Sequence, residues 1–305
     1  MREQGSLSGR GTAGLPTAPF ALVLGGGGAK GLAHILVVEA LDEMGVGPQV
    51  VAGSSIGAII GACYCAGMSG RDIRAYALDM LQVRPDVLRR LMTARVGRFA
   101  DLIRSGLTNP VLIDPELFLQ VFLPPAVPVL LEDLAIPLTV VATDYHARID
   151  MAYADGPLIP AVAGSMAIPG AFRPVVHDGR VLVDGGILNP VPVDRGSADI
   201  VLAVDVLDGS SHGGVIDDAV PGPLDALFGT VVLMMQALSG VKLATHRPTI
   251  HLRPPVAQFR VLDFLKAAEI LAACEPIKDE VKRRLSRALD ASPADFTDGV
   301  IADQP

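Results

Sequence analysis

The sequence predicts an α/β fold built on a mostly parallel central sheet. From Phe20 the chain has a strand, a glycine loop and a helix, FALVLGGGGAKGLAHILVVEALDEMG, and Gly45 closes the helix. A second unit follows at once. QVVAGSS is typical of a short buried strand, and SIGAIIGACYCAG is typical of a helix of small residues that packs closely on a sheet. Two such units in succession indicate a parallel α/β layer.

The rest of the chain supplies further strands and helices. Residues 71–123 are predicted to be helical with breaks at prolines, and they could form a cap over a site. PLTVVATD, VLVDGG, DIVLAVDV and TIHLRP are predicted strands, HDG predicts a hairpin turn, and residues 264–289 predict a last helix. Residues 209–223 are loop-like. We expect one domain over residues 19–290, between a flexible tail at residues 1–18 and a C-terminal tail at residues 291–305.

Composition limits the functions open to this chain. Half of the 305 residues are hydrophobic, which excludes a disordered chain. The net charge of -8 argues against nucleic acid or anionic headgroups as partners, so any membrane contact should be mainly apolar. The sparse cysteines Cys63, Cys65 and Cys274 complete no zinc site and predict a reducing, cytoplasmic compartment. We expect no signal peptide and no run of about 20 apolar residues that would span a bilayer.

The first candidate site is the glycine loop GGGGAKG at residues 25–31, between a predicted strand and a helix start. Backbone N–H groups at a helix start lack partners within the helix, and absent side chains let a substrate oxygen approach them. The loop therefore suits a phosphate or an oxyanion. Its Gly26-x-Gly28-x-x-Gly31 spacing also matches a dinucleotide fingerprint, but the next strand lacks the carboxylate that such a site requires. A Walker loop fails because Gly31 follows Lys30.

The second candidate site is the G-x-S-x-G pattern Gly53-Ser54-Ser55-Ile56-Gly57, again between a strand and a helix. In that setting the pattern predicts a nucleophile elbow, whose sharp turn presents the serine hydroxyl at the sheet edge. The alternative is an ordinary strand-to-helix turn with Ser54 as a helix cap. Because an oxyanion-type loop lies one βα unit earlier, and acyl transfer needs both parts, the sequence favours a hydrolase with Ser55 as nucleophile.

The third candidate site is Val183-Asp184-Gly185-Gly186, a carboxylate at the end of an apolar run. A serine hydroxyl is a poor nucleophile until a base takes its proton. An unperturbed Asp, with a pKa of about 3.9, is a weak base at neutral pH, so Asp184 would need a raised pKa or strict positioning. Taken alone, DGG is better explained as an Asx-type turn.

A histidine triad is the competing arrangement. Ser55, Asp205 and either His246 or His251 follow one another in the chain order of an α/β-hydrolase. Two features oppose this interpretation: the serine lies only one βα unit into the fold, and the glycine loop directly precedes it. We expect His34 to pack within its helix.

Taken in this order, the three candidate sites resemble the patatin-like phospholipase family, especially its bacterial members and the neuropathy target esterase catalytic domain. The resemblance runs from LVLGGGGAKGLAH and VVAGSSIGAIIGACYCAG through TVVATD to SMAIPGAFRPVVHDGRVLVDGGILNPVPV and IVLAVDV. It implies a three-layer α/β/α fold and hydrolysis of phospholipid, lysophospholipid or other lipid esters. It also implies that the enzyme uses no cofactor and no metal.

The same resemblance implies residue roles. Ser55 would attack the acyl carbonyl, Asp184 would complete a Ser–Asp dyad without histidine, and the loop would form the oxyanion hole. The residues given to the oxyanion hole are Gly26, Gly27 and Gly28. Those that support the three motifs are Gly25, Lys30, Gly31, Gly53, Gly57, Gly185 and Gly186. Two positions depart from the family: Lys30 replaces a frequent Arg and loses its bidentate geometry, and Leu36 replaces a frequent Gly.

Partners and competing functions follow from these assignments. We expect a lipid ester substrate, no nucleic acid, and contact with a micelle or with the inner face of a membrane; the oligomeric state is not predicted. The apolar segments DALFGTVVLMMQALSG and LFLQVFLPP are expected to be ordinary core more than walls of an acyl groove. A nucleotide-binding oxidoreductase and a non-catalytic lipid-binding module stay open as alternatives.

Overall fold

The structure, a computed structural model, describes most of the chain between Thr17 and Ala291. The described residues are 17–81, 113–207, 220, 222–291, 296–297 and 300–301. Most of the predicted N-terminal tail, the middle of the predicted cap and nearly all of the predicted loop at 209–223 lie outside these ranges. The division into a domain and two tails therefore stays a prediction.

A mixed sheet of eight strands lies at the centre of the described structure. Its strands are β1 (Thr17–Leu24), β2 (Gly47–Ser54), β3 (Leu138–Asp144), β4 (Ile149–Tyr153), β5 (Val175–His177), β6 (Arg180–Val183), β7 (Ile200–Val204) and β8 (Ile250–Leu252). Their order is β5-β6-β3-β2-β1-β7-β8, with β4 also paired to β3. The pairs among β1, β2, β3, β7 and β8 are parallel, and those that involve β4, β5 or β6 are antiparallel. The predicted mostly parallel sheet is confirmed.

Eight α-helices accompany the sheet in the described ranges. They are α1 (His34–Met44), α2 (Ile56–Cys65), α3 (Gly70–Leu81), α4 (Pro115–Phe122), α5 (Leu158–Met166), α6 (Pro223–Thr245), α7 (Ala267–Cys274) and α8 (Ile277–Asp290). Gly45, at a φ of 70°, ends α1 as predicted. The single predicted last helix is instead divided into a short 3-10 turn, α7 and α8, with Pro276 before α8. Strands β9 (Phe296–Thr297) and β10 (Val300–Ile301) form a separate pair.

Helices cover both faces of the sheet. Side chains alternate along a strand, so Leu22 and Leu24 of β1 enter the larger core, which α1, α2, α5 and α8 also fill. Val23 points to the other face and packs with Ala203, with Leu243 of α6 beside them. This arrangement is the three-layer α/β/α architecture that the family resemblance implied.

Among the described residues, one helix is long and apolar enough to cross a membrane, judged by length and composition alone. It is Ala226–Thr245 within α6. Polar side chains interrupt it at Thr230, Gln236, Ser239 and Lys242, so counting uninterrupted apolar residues missed it. The expectation concerned an uninterrupted run of about 20 apolar residues, whereas this helix reaches that length only with its polar side chains included.

Candidate active site

The ends of β2 and β6 approach each other along β3. Ser54, the last residue of β2, lies opposite Val141, while Val183, the last residue of β6, lies opposite Thr143. Because β4 occupies the other edge of β3, both strand ends share one edge of it. The next residue after each strand therefore enters the same gap from opposite directions.

Ser55 and Asp184 are the two residues that meet in this gap. The Ser55 hydroxyl donates a hydrogen bond of 2.7 Å to Oδ2 of Asp184, and both side chains are almost fully buried. The other carboxylate oxygen accepts from the amide of Gly186 at 2.8 Å. The hydroxyl of Thr143 donates to the Asp184 carbonyl at 2.9 Å. Both the backbone and the side chain of Asp184 are therefore held in place.

Ser55 has a strained backbone conformation. Its φ of 54° and ψ of -121° are rare for a residue with a side chain, and it directly precedes α2. Its side chain makes no capping hydrogen bond to that helix, and Ser54 belongs to β2, so the helix-cap interpretation of this turn fails. The Ser55 amide donates to the Ser165 hydroxyl at 2.8 Å, and that hydroxyl donates to the carbonyl of Val141 at 2.6 Å. Ser165 thus fixes the turn to β3.

Burial raises the pKa of the Asp184 carboxyl to about 6. The charged form loses solvation in this buried position, and this effect outweighs the hydrogen bonds from Ser55 and Gly186, which lower the pKa. The sequence required either a raised pKa or strict positioning for an Asp base, and both features are present here. A pKa near 6 leaves the carboxylate charged at pH 7 and more basic than an ordinary Asp.

The glycine loop faces Ser55, but not all of its amides are available. Gly26 donates its N–H to the carbonyl of Pro190 at 2.8 Å, and Gly25 donates to Val204 at 3.0 Å. Gly27 and Gly28 line the cleft together with Ser55 and Asp184. The expected oxyanion donors are therefore corrected: the Gly26 amide anchors the loop, because its hydrogen is already shared with a carbonyl.

Gly28 needs the absence of a side chain. Its φ is 56°, and a Cβ atom there would collide with the carbonyl of Val261. The adjacent Ala29 amide donates to that same carbonyl at 2.8 Å, which fixes the loop at this point. The other motif glycines allow close packing of the backbone or of Ile56, and they are Gly31, Gly53, Gly57 and Gly185.

His34 supports the glycine loop from behind. Its Nε2–H donates to the carbonyl of Gly25 at 2.8 Å, and the ring is fully buried. Burial lowers the pKa of His34 to about 4, so the ring is neutral at physiological pH. Burial also lowers the pKa of Lys30, an effect that Asp205 partly offsets. The expectation that His34 only packs within its helix is therefore incomplete.

The competing histidine triad does not assemble at Ser55. Asp205 accepts a hydrogen bond from the Leu207 amide, and Nε2 of His251 lies 3.8 Å from its Oδ2. Neither His251 nor His246 lines the cleft that contains Ser55. Within the described ranges, no group of three His, Cys, Asp or Glu side chains is placed to hold a metal ion.

The cleft above Ser55 is narrow, and its lining is mainly apolar. Ile168, Ile187 and Val261 line it from turns and loops, and Phe228, Val232 and Met235 line it from α6. The segment DALFGTVVLMMQALSG was expected to be ordinary core, and this expectation is wrong, because much of α6 is exposed and its inner face lines the cleft. LFLQVFLPP lies largely in α4 and meets the same expectation only in part: Leu119 is buried and Phe118 packs partly buried against the core, whereas Leu117 is exposed.

The family of this chain is shown by sequence comparison. The family model of the patatin-like phospholipases matches residues 22–195. The chain therefore belongs to the patatin-like phospholipase family. This confirms the family that the sequence predicted.

Several curated proteins are similar to this chain. An uncharacterized NTE family protein of Mycobacterium tuberculosis is 36% identical over 227 residues, which cover 73% of this chain and 58% of the relative. Human patatin-like phospholipase domain-containing protein 6 is 31% identical over 281 residues, which cover 82% of this chain and 19% of the relative. The chain thus spans a little over half the length of the mycobacterial relative. The crystal structure of VipD from Legionella pneumophila has a TM-score of 0.45 at 16% identity, covering 87% and 66% of the two chains.

Proposed function

We propose that this chain is a serine acyl hydrolase that releases fatty acids from lipid esters, with Ser55 as nucleophile and Asp184 as base. The observation that carries the proposal is the 2.7 Å hydrogen bond between the Ser55 hydroxyl and a buried carboxylate. We assign the activity to a single domain over residues 19–290. Membership of the patatin-like phospholipase family supports the lipid substrate.

In the first half of the reaction Asp184 takes the Ser55 proton while the serine oxygen attacks the ester carbonyl carbon. The carbonyl oxygen becomes an oxyanion beside the loop, where the Gly27 and Gly28 amides lie closest to the cleft. Preformed amide dipoles stabilise such a charge without having to reorganise. When the carbon–oxygen bond to the alcohol breaks, Asp184 returns the proton to the leaving alkoxide, and an acyl-serine ester remains.

In the second half water replaces the alcohol. Asp184 takes a proton from the water as its oxygen attacks the acyl carbon, and a second oxyanion forms at the same amides. Collapse of this intermediate breaks the bond to the Ser55 oxygen, which recovers the proton from Asp184. The fatty acid leaves, and the enzyme returns to its starting state with atoms and charge balanced.

The cleft supports a long acyl chain as the substrate part that binds next to Ser55. Its walls are apolar, and burial of apolar surface gives about 25 cal/mol per Å². The protein would meet its substrate at a micelle or membrane surface. Its activity should therefore rise sharply when the concentration of a lipid ester passes the critical micelle concentration. An activity that does not change at this concentration would remove the interfacial part of the proposal.

Two neighbouring serines provide the direct test of the proposed function. Ser55→Ala should lose nearly all esterase activity. Ser54→Ala should keep it, because the Ser54 hydroxyl is buried without a hydrogen-bond partner among the described residues. Folding of both variants is checked by thermal unfolding. A folded Ser55→Ala protein that still hydrolyses esters would refute the assignment, and lipid binding without turnover by the unmodified chain would favour the non-catalytic module.

A further inference from the structure

Helix α6 has two apolar faces with different surroundings. The inner face contributes Phe228, Val231, Val232 and Met235 to the cleft above Ser55. The outer face carries large apolar side chains that are open to solvent, and among them Leu233 is 66% exposed and Met234 69%. A solvated helix of a globular protein normally has polar residues on its outer face. The outer face of α6 therefore needs an explanation besides packing within the chain.

The outer face carries no ionisable group in the stretch Ala226–Thr245. The one ionisable side chain in that stretch is Lys242, and it points inward, with its ammonium 3.5 Å from Asp194. Leu227 and Val241 extend the exposed apolar strip towards both ends of the helix. These exposed apolar side chains are thus spread along the length of the helix, and no charged group lies among them.

Three polar residues hold the inner side of α6 on the domain, whereas the exposed hydroxyls of Thr230 and Thr245 donate to carbonyls within the helix. Gln236 donates to the carbonyl of Leu207, Ser239 is buried, and Lys242 pairs with Asp194. A membrane-spanning orientation would pull these groups from their partners into hydrocarbon at a large cost. The helix is thus suited to lie along a surface rather than across it.

A second exposed segment continues the apolar strip around the cleft. Val261 lines the cleft against the glycine loop, and the residues that follow it include Leu262 and Leu265, which is 75% exposed. Val220, just before α6, is also exposed. Two separate parts of the chain, α6 and the segment after Val261, thus both line the cleft and both carry exposed apolar side chains beside it.

The area and the charge of this surface favour a lipid phase over a second copy of the chain. At a rise of 1.5 Å per residue, the 20-residue stretch is about 30 Å long, and a strip about 10 Å wide covers about 300 Å². A stable protein interface needs about 800 Å² from each partner. The net charge of -8 disfavours anionic headgroups, so a zwitterionic lipid surface fits best.

We propose that the outer face of α6, extended by Leu262 and Leu265, docks this protein on a zwitterionic lipid surface. The helix lies in the plane of the interface with its outer side chains among the acyl chains. Its inner face then forms the wall along which an acyl chain passes from that surface to Ser55. This inference rests on the proposed function for its substrate, but α6 lies beyond residues 22–195, which carry the family match.

Introduction of charge on the outer face tests the proposal. Leu233→Glu combined with Met234→Glu should lower binding to phosphatidylcholine vesicles, measured by sedimentation, by about tenfold or more. The matched control is Val129→Glu combined with Val176→Glu, because both valines are exposed and neither lines the cleft. Binding by the control should stay within about twofold of the unmodified protein. The uncharged pair Leu233→Gln and Met234→Gln should give a smaller loss, and thermal unfolding checks each fold.

The outcomes separate this inference from the proposed function. If the Glu substitutions at Leu233 and Met234 leave vesicle binding unchanged, the proposed docking surface is wrong, even if Ser55 reacts with a fluorophosphonate. Vesicle binding that depends on both residues supports the docking surface, even if Ser55 proves unreactive and the proposed function fails. A wild-type dimer that becomes monomeric in the Glu variant, with vesicle binding unchanged, would identify a second copy as the occupant and overturn the proposal.

Discussion

Asp184→Asn should raise the free energy of unfolding more at pH 7 than at pH 4. Burial raises the pKa of Asp184 from 3.8 to about 6 in the folded state. One pKa unit corresponds to about 1.4 kcal/mol, so keeping this carboxylate charged costs the fold about 3 kcal/mol. An Asn side chain does not titrate and avoids that cost.

The sign of the pH dependence follows from proton binding. Between pH 3.8 and about 6 the folded protein holds the Asp184 proton and the unfolded chain releases it. The free energy of unfolding of the wild type therefore falls as pH rises through this window. When the free energy of unfolding of Asp184→Asn is subtracted from that of the wild type, the contributions of the other titrating groups cancel. The resulting difference should fall by about 2 kcal/mol between pH 4 and pH 7.

Urea unfolding of both proteins across this pH range measures the difference, and Asp144→Asn is a control whose difference from wild type should stay nearly constant between pH 4 and pH 7. The Ala147 amide and the Arg180 guanidinium lower the pKa of Asp144 below its usual 3.8, so its contribution to stability is lost only as pH falls below that value. A flat difference for Asp184→Asn would refute the raised pKa. A difference that grows with pH would mean that the carboxylate is stabilised in its charged form.

Three further predictions concern the same site. The kcat/KM of the wild type should fall below about pH 6, where Asp184 gains its proton, and a profile that is flat down to pH 4 would contradict Asp184 as the base. Ser165→Ala removes the acceptor that holds the Ser55 amide, so kcat should drop by about tenfold with little change in KM. Equal changes in kcat and KM would contradict a positioning role for Ser165. Gly28→Ala should cost on the order of 10² to 10³ in kcat, whereas Gly179→Ala, also at positive φ but with open space around it, should leave activity unchanged.

The strand-to-helix turns could be predicted because their residue types have few structural uses. Glycines at residues 25–28 and a serine between glycines have a clear meaning where a strand meets a helix. The predicted hairpin at Asp178 and Gly179 is confirmed for the same reason, since both residues have positive φ in the β5–β6 turn. Short-range backbone requirements of this kind are written locally in the sequence.

The long-range partners could not be predicted in this way. Ser165, 110 residues from Ser55, is brought to it by the packing of α5 on β3 and by its hydrogen bond to the Val141 carbonyl. The carbonyl of Pro190 that occupies the Gly26 amide has no signature in the sequence, because any residue type carries such a carbonyl. Ser165 does lie within SMAIPGAF, a segment that carries the family resemblance, and that was the available signal.

The exposure of α6 was also beyond the sequence. An apolar helix can be buried core or an exposed surface, and its composition is the same in both cases. The inward position of Lys242 depends on its ion pair with Asp194, which lies in a short turn between β6 and β7, far from Lys242 in the sequence. Only the assembled structure shows that Met235 faces the cleft while Met234, its neighbour, faces solvent.

Reaction with a fluorophosphonate, followed by peptide mapping, tests the proposed nucleophile most directly. The reagent phosphonylates a serine only when a base activates the hydroxyl. We predict one adduct, on the peptide that contains Ser55, and a greatly slowed reaction in Asp184→Asn. An adduct on another residue, or an Asp184→Asn protein that reacts at the wild-type rate, would contradict the Ser55–Asp184 dyad.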